Sequence, residues 1–418
     1  MMGREVAMKI SFYRWLLVCL VATTLFVSNI QAAEGVAPRD RILILISLDG
    51  FRYDYLQKFN PPNLNRLAAE GVRAKRLIPA FPSLTFPNHY TIVTGLWPEH
   101  HGIVNNSFYD PVFKTNFAIS KNPGPREGRW WGGEPIWVTA VKQGRVADCM
   151  FWPGSEAEIK GVRPTEWKPY DNNAEPDACV DTALNWLAQT NQRPSLVTLY
   201  FHNVDSASHH DGVDSPAVVR AVAQVDEAVG RLMNGLDRLK LQDIANVIVV
   251  SDHGMTDLST NRIVVLNDYV DLKKVQVDFS GALAGLRPLD GDVTALYKQF
   301  SGREKHFKAY RRDRLPARFH FDDNRRIPPV ILVAEEGWYI SRQGLKAGKE
   351  FEKATHGYDP KLKSMGAVFI ARGAAFRHGV VLSSVENIGL YNLFCATLGL
   401  VPAPNDGDDN LVRKVLAQ

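Results

Sequence analysis

Four short runs of the sequence are apolar at almost every position: Arg41-Ile-Leu-Ile-Leu-Ile-Ser47, Ser195-Leu-Val-Thr-Leu-Tyr-Phe201, Asn246-Val-Ile-Val-Val250 and Gly366-Ala-Val-Phe-Ile370. A strand with one face in water alternates apolar and polar residues. Runs that are apolar throughout therefore mark strands covered on both faces, as in a parallel sheet held between helix layers. Helix-like stretches separate them, among them Asn63–Glu70, Pro176–Gln189 and Ala217–Leu239. The alternation predicts an α/β fold, an α/β/α sandwich with a mostly parallel central sheet. Three of the runs end in chemically capable residues: Asp49-Gly50, His202-Asn203-Val204-Asp205 and Ser251-Asp252-His253-Gly254. Ligands of open α/β sheets bind beyond the carboxyl ends of the strands, so these acids and histidines are expected along one edge of the sheet.

The 418 residues suffice for one large α/β unit. With 49 basic against 45 acidic residues the net charge is only +4, without the basic excess that neutralising nucleic-acid phosphates requires. No sequence-specific nucleic-acid partner is expected. The four cysteines include no CxxC pair, which excludes a Cys-ligated structural zinc. Lys9 and Arg14 precede an apolar run from Trp15 to Val27, and Ala32-Ala33 offer a cleavage site, the pattern of a signal peptide over 1–32. Cleavage would leave Cys149, Cys179 and Cys395, with Cys149–Cys179 the expected pair and Cys395 a buried thiol. The mature chain, 33–418, is expected in the periplasm or secreted, without stable membrane association. The stretch 261–355 departs from the α/β pattern and carries a basic segment from Arg303 to Arg326. It reads as a smaller inserted cap with its charges in water.

The chemistry lies in a set of hard and borderline metal ligands. Asp205 and His209 are four residues apart, so one helical turn after a strand puts both on one face. Asp252 and His253 can converge only if the chain turns as the strand ends, which Gly254 permits. Asp49 ends the first strand, and His356 stands beside Gly357. Three Asp and three His suit two zinc-like ions, although manganese or iron would be tolerated. Neutral imidazoles bind metal, so affinity is expected to weaken below about pH 6.5. The other histidines read as structural or surface residues, with His89 and His210 nearest the site.

Five segments together resemble the alkaline phosphatase superfamily, in its nucleotide pyrophosphatase/phosphodiesterase branch. They are Leu48-Asp-Gly-Phe-Arg52; Pro82-Ser-Leu-Thr-Phe-Pro-Asn-His-Tyr90 with Thr94-Gly-Leu-Trp-Pro-Glu-His-His-Gly102; Val204-Asp-Ser-Ala-Ser-His209; Val250-Ser-Asp-His-Gly-Met255; and Thr355-His-Gly-Tyr358. The resemblance runs from about residue 41 to Gly407 and implies a single alkaline-phosphatase-like catalytic domain. It supplies what spacing could not: Thr85 aligns with the family's catalytic threonine, a hydroxyl that needs a metal or a base to become a nucleophile. It further implies that Asp49, Thr85, Asp252 and His253 hold one metal and Asp205, His209 and His356 the second. Asn106 matches the donor to a phosphate oxygen, with Asn105 the neighbouring alternative.

The implied function is a two-zinc phosphodiesterase or nucleotide pyrophosphatase. It would release nucleoside 5′-monophosphates through a phospho-threonine intermediate. Phe86, Tyr200, Trp152 and Tyr170 are candidates for a nucleotide-binding pocket, since a base can stack between such rings. Lipid-cleaving relatives also use aromatic pockets, so lysophospholipid or other diesters are alternatives, as is a phosphate monoester. A sulfatase is disfavoured, because Thr85-Phe-Pro-Asn-His89 keeps only the Pro of the sulfatase signature. A catalytically silent zinc protein that recognises nucleotides or glycans is the rival outside catalysis. Arg52, three residues after Asp49, is expected to pair with a nearby carboxylate rather than with phosphate.

Overall fold

A computed structural model describes residues 36–121, 123–344 and 351–417; the expected leader, 1–32, lies outside them. Eight strands form the central sheet. In chain order they are β1 (Ile42–Leu48), β2 (Val72–Ala74), β3 (Ala147–Met150), β4 (Glu166–Lys168), β5 (Leu196–Phe201), β6 (Ala245–Val250), β7 (Phe369–Gly373) and β8 (Val380–Leu382). Across the sheet the order is β8-β2-β7-β6-β1-β5-β3-β4. Only β7 runs against the rest, antiparallel to both β6 and β2. All four expected strands are present.

β1 is buried along its whole length, and its alternate side chains feed two cores. Leu43 and Leu45 pack on one face with residues of α2 (Thr85–Thr94), α3 (Ile136–Lys142) and α7 (Leu390–Leu398). Ile42, Ile44, Ile46 and Leu48 pack on the other with α1 (Pro62–Glu70), α4 (Pro176–Ala188) and α6 (Pro216–Arg238). The longest helix, α6, shows why the sequence folds so. Ser215 caps it by accepting from Val218 N–H, Pro216 occupies the first turn, and Val218, Val222, Val225, Val229 and Leu232 form its buried stripe.

Within 261–355 a four-stranded antiparallel sheet is ordered Val275–Phe279, Leu283–Pro288, Val330–Ala334, Phe307–Arg311. Phe279, Leu283 and Ile331 share a core with Ile92 and Phe369 of the main sandwich. The expectation that the basic segment keeps its charges in water fails at Arg326, which is 5% exposed. Arg326 Nε donates to Asp110 at 2.7 Å, and its Nη1 reaches the carbonyls of Gly102 and Trp130, each at 2.7 Å. A buried guanidinium needs such a full set of acceptors. The expected Cys149–Cys179 pair is also absent, and Cys149, Cys179 and Cys395 are all free and buried. Cys149 packs on the α3 side of the sheet and Cys179 on the α6 side, so the sheet itself separates them. Among the described residues no helix is long and apolar enough to cross a membrane.

Candidate active site

The central position of β1 assembles the site. Ser47 lies opposite Tyr200 of β5 on one side and Val250 of β6 on the other. The chain leaving β1 therefore places Asp49 between the residues that leave its two neighbours. Gly50 makes this possible: its φ is +67°, and a Cβ there would come within 2.9 Å of the Asp205 backbone. After β5 the chain turns into α5 (Asn203–Asp211), whose pitch sets Asp205 and His209 one turn apart. After β6, Gly254 lets the chain pass against the Ser364 carbonyl, with which a side chain would collide. A two-residue antiparallel pairing, Thr256 opposite Thr355, brings in His356.

The ligand atoms converge. Asp49, Asp252 and His253 form one group, and Asp205, His253 and His356 another, each with its candidate ligand atoms within 4.8 Å of one another. His253 thus stands between the two expected sets, and His209 joins the second through Asp205, its Nε2 3.4 Å from Oδ1. Three imidazoles are fixed in the same way. Nδ1 of His209, His253 and His356 each lies 2.9 Å from a backbone carbonyl, those of Ala354, Gly254 and Ser83. A carbonyl only accepts, so Nδ1 carries the proton and Nε2 presents its lone pair to the site.

Facing those lone pairs are three buried carboxylate oxygens with no hydrogen-bond partner: Asp49 Oδ1, Asp205 Oδ1 and Asp252 Oδ2. Asp252 Oδ2 is only 2.9 Å from His253 Nε2. Orphaned acceptors in a dry site are costly unless a proton or a metal cation lies between them. The mixed nitrogen and oxygen donors suit zinc or a similar divalent ion.

Protons partly fill that role when no metal is bound. Burial opposes the charge on Asp205, yet His209 and His356 draw its pKa down to about 2. Burial likewise opposes protonation of His209, but Asp205 and Glu352 hold it up at about 11. Burial, with His253 beside it, depresses His356 to about 3. Asp49 is pushed well above the usual carboxylate range by burial and by the charges of Asp252 and Asp205.

Thr85 opens α2, where the helix dipole favours negative charge, and its Oγ1 is 3.3 Å from His253 Nε2. Asn106 accepts the Phe86 N–H through Oδ1 at 2.9 Å, which leaves its two amide N–H donors for another partner. Asn105 instead accepts the N–H of Ser107 in its own loop. Two cavities meet these groups. One, of about 380 Å³, is walled by Phe86, Phe151, Trp152, Tyr170 and Tyr200 and also touches Asp49, Thr85 and Asp205. The other, of about 450 Å³, is polar and touches Asn106, His209, His356, Tyr339 and Arg342. Tyr170 is 43% exposed, whereas Trp152 is 1% exposed and donates Nε1 to the His89 carbonyl, a floor more than a plate.

Arg52 forks onto Asp54 at 2.9 and 2.7 Å, as expected of a residue that does not face phosphate. His210 is exposed and outside the site. Glu352, which stands with Oε2 3.4 Å from His209 Nδ1, carried no signal in the sequence. His89 carries one, its position four residues after Thr85 on the same helix.

A sequence model described as type I phosphodiesterase / nucleotide pyrophosphatase matches residues 43–359. A venom phosphodiesterase of Naja atra is 40% identical over 389 residues, 90% of this chain and 46% of the relative. Ectonucleotide pyrophosphatase/phosphodiesterase family member 3 of Rattus norvegicus is 38% identical over 390 residues, 90% of this chain and 44% of the relative. The chain thus spans less than half the length of these curated relatives. The solved structure of murine ectonucleotide pyrophosphatase/phosphodiesterase 5, an inactive variant in complex with AMP, superposes with a TM-score of 0.85 at 32% identity, covering 90% of this chain and all of that one.

Proposed function

Because this chain belongs to the type I phosphodiesterase / nucleotide pyrophosphatase family, in the alkaline phosphatase superfamily, we propose that it hydrolyses nucleotide phosphodiester or pyrophosphate bonds to nucleoside 5′-monophosphates. The observation that carries the reading is the meeting of orphaned ligand atoms, the Thr85 hydroxyl and an aromatic-walled cavity at one edge of the sheet. Asp49, Thr85, Asp252 and His253 would hold one divalent ion and Asp205, His209 and His356 a second, zinc in both places. Such ions lower the pKa of a hydroxyl and neutralise charge on phosphate.

The chain's own groups do the rest. Phe86, Tyr170 and Tyr200 receive the nucleoside base in the aromatic cavity. Asn106 donates from Nδ2 to a non-bridging phosphate oxygen, its amide held in that sense by the Phe86 N–H. The Thr85 oxygen displaces the leaving group from phosphorus, and the nucleotide stays esterified to Thr85. Water then displaces Thr85, and the nucleoside monophosphate departs. The leaving group exits through the polar cavity beside His209 and His356, roofed by residues of 261–355 acting as a cap. Export through a leader over 1–32 to the periplasm or medium completes the reading.

A substrate panel tests it with the zinc-loaded protein: a nucleotide aryl diester, a bis-aryl diester, an aryl monoester and a choline lysophospholipid. The expected order of kcat/KM places the nucleotide diester first. Preference for the lysophospholipid or the monoester overturns the nucleotide assignment.

A further inference from the structure

His89 is fully buried and sits beneath the reacting groups, yet it is in neither ligand set. It lies one turn beyond Thr85 on α2 and reaches back, its Nδ1 2.8 Å from the Thr85 carbonyl oxygen and 3.3 Å from Asp252 Oδ2. Both neighbours of Nδ1 are acceptors, so that nitrogen carries a proton. Nε2 is then the acceptor, and Ser47 Oγ, 2.8 Å away, is its donor. The ring is wedged edge-on against Trp152 at 5.3 Å and Tyr200 at 5.1 Å between centroids. One imidazole therefore touches the backbone of the nucleophile, the carboxylate beside it, the first strand and two walls of the aromatic cavity.

We propose that His89 is a positioning residue: its Nδ1–H holds the Thr85 carbonyl, with the ring lodged against Asp252, and so sets the direction from which Thr85 Oγ1 approaches phosphorus. The proposal rests on the reading of Thr85 as nucleophile. The physical basis is that Thr85 sits in the first turn of a helix, where the chain frays most readily. A bond from a ring packed on all sides removes that freedom without touching substrate. Misplacement of a reacting group by about 1 Å costs on the order of a hundred-fold in rate. The contact acts after binding, so kcat is its target and KM is not.

Two isosteres separate this role from a purely structural one. The amide nitrogen of His89→Asn replaces Nδ1 and keeps the donor to the Thr85 carbonyl. The amide of His89→Gln reaches instead to the position of Nε2 and keeps only the Ser47 contact. On the zinc-loaded protein with a nucleotide aryl diester, His89→Gln is expected to lose kcat by about a hundred-fold with KM within about three-fold. His89→Asn should recover at least about ten-fold of that loss, with bound zinc and melting temperature alike in the two variants. Equal kcat in the two, or losses that follow melting temperature or zinc content, overturns the proposal. If both fold too poorly to assay, Ser47→Ala decides: it loosens the ring from its far side, and a lower kcat at unchanged KM and zinc content supports positioning, whereas unchanged kcat overturns it. Thr85→Ala is measured in parallel. Full activity there would defeat the nucleophile assignment, an outcome distinct from failure of the His89 proposal alone.

Discussion

The Tyr200 hydroxyl donates to Asp49 Oδ2 at 2.7 Å and leaves Asp49 Oδ1 as the carboxylate oxygen without a partner. One side chain thus walls the aromatic cavity and turns a carboxylate of the proposed metal site. Tyr200→Phe keeps the ring and removes the turn. Zinc affinity is expected to weaken by about 10–100-fold, the usual cost of losing a partner behind a ligand, with little change in KM at saturating zinc. Competition with a coloured chelator reads the first quantity and steady-state kinetics the second. Unchanged zinc affinity would remove Tyr200 from the ligand-orienting role.

Metal binding should release protons well above pH 6.5. In the metal-free protein His209 titrates near 11 because Asp205 and Glu352 stabilise its charge against burial. That raised value makes the charged His209 a stabilising feature of the metal-free fold, complete below the unfolded value of 6.5 and lost as pH rises towards about 11. Zinc must displace this proton, so affinity should climb by about ten-fold per pH unit across the neutral range for each proton released. The ordinary histidine value alone places the weakening below about pH 6.5. Calorimetry at pH 7.5 in buffers of different ionisation enthalpy counts the protons, and a count of zero contradicts the prediction.

Asp110 is fully buried between Arg325 and Arg326, and both guanidiniums hold its carboxyl below the usual carboxylate range against the effect of burial. Asp110→Ala leaves Arg326 charged and buried, which should cost about 3–5 kcal/mol in unfolding free energy. Urea denaturation of the purified variant measures it. A loss under about 1 kcal/mol would mean that Arg326 finds water or another acceptor.

Asn106→Ala should lower kcat for the nucleotide diester by roughly 10²–10³-fold, the scale for one transition-state donor. Asn106 is neutral and Arg52 is committed to Asp54, so neither supplies a cation for the second charge of a monoester. The variant should therefore remain poorer on an aryl monoester than on the diester. A variant as fast as the parent places the donor elsewhere.

Much of this was legible in the sequence, and the exceptions share a physical cause. β1, β5, β6 and β7 announce themselves as continuous apolar runs, whereas β2, β4 and β8 are only three residues long, and β3 carries Asp148 in its middle. Sequence periodicity does not register pieces so short. The candidate ligands Asp49, Asp205, His209, Asp252 and His253 were readable because they follow central strand ends, which topology converts into proximity, and His356 because it stands beside Gly357. The Cys149–Cys179 pairing failed because spacing along the chain says nothing about which face of a sheet a side chain occupies. Arg326 was misjudged for a similar reason: a basic segment reads as solvated until one of its members is shown to have an acidic partner 216 residues away. Tyr200, expected from the sequence as a cavity aromatic, also donates to Asp49, a contact that exists because β5 lies beside β1.

The central claim is that Thr85 carries the nucleotide between the two displacements. Its most direct test is rapid acid quench of the zinc-loaded protein mixed with a nucleotide aryl diester radiolabelled at phosphorus, followed by peptide mapping. The account predicts label on the peptide containing Thr85, retained in Thr85→Ser and absent from Thr85→Ala, with turnover in Thr85→Ala reduced at least about a thousand-fold. Turnover by Thr85→Ala near that of the parent, with no labelled peptide in either, would contradict it.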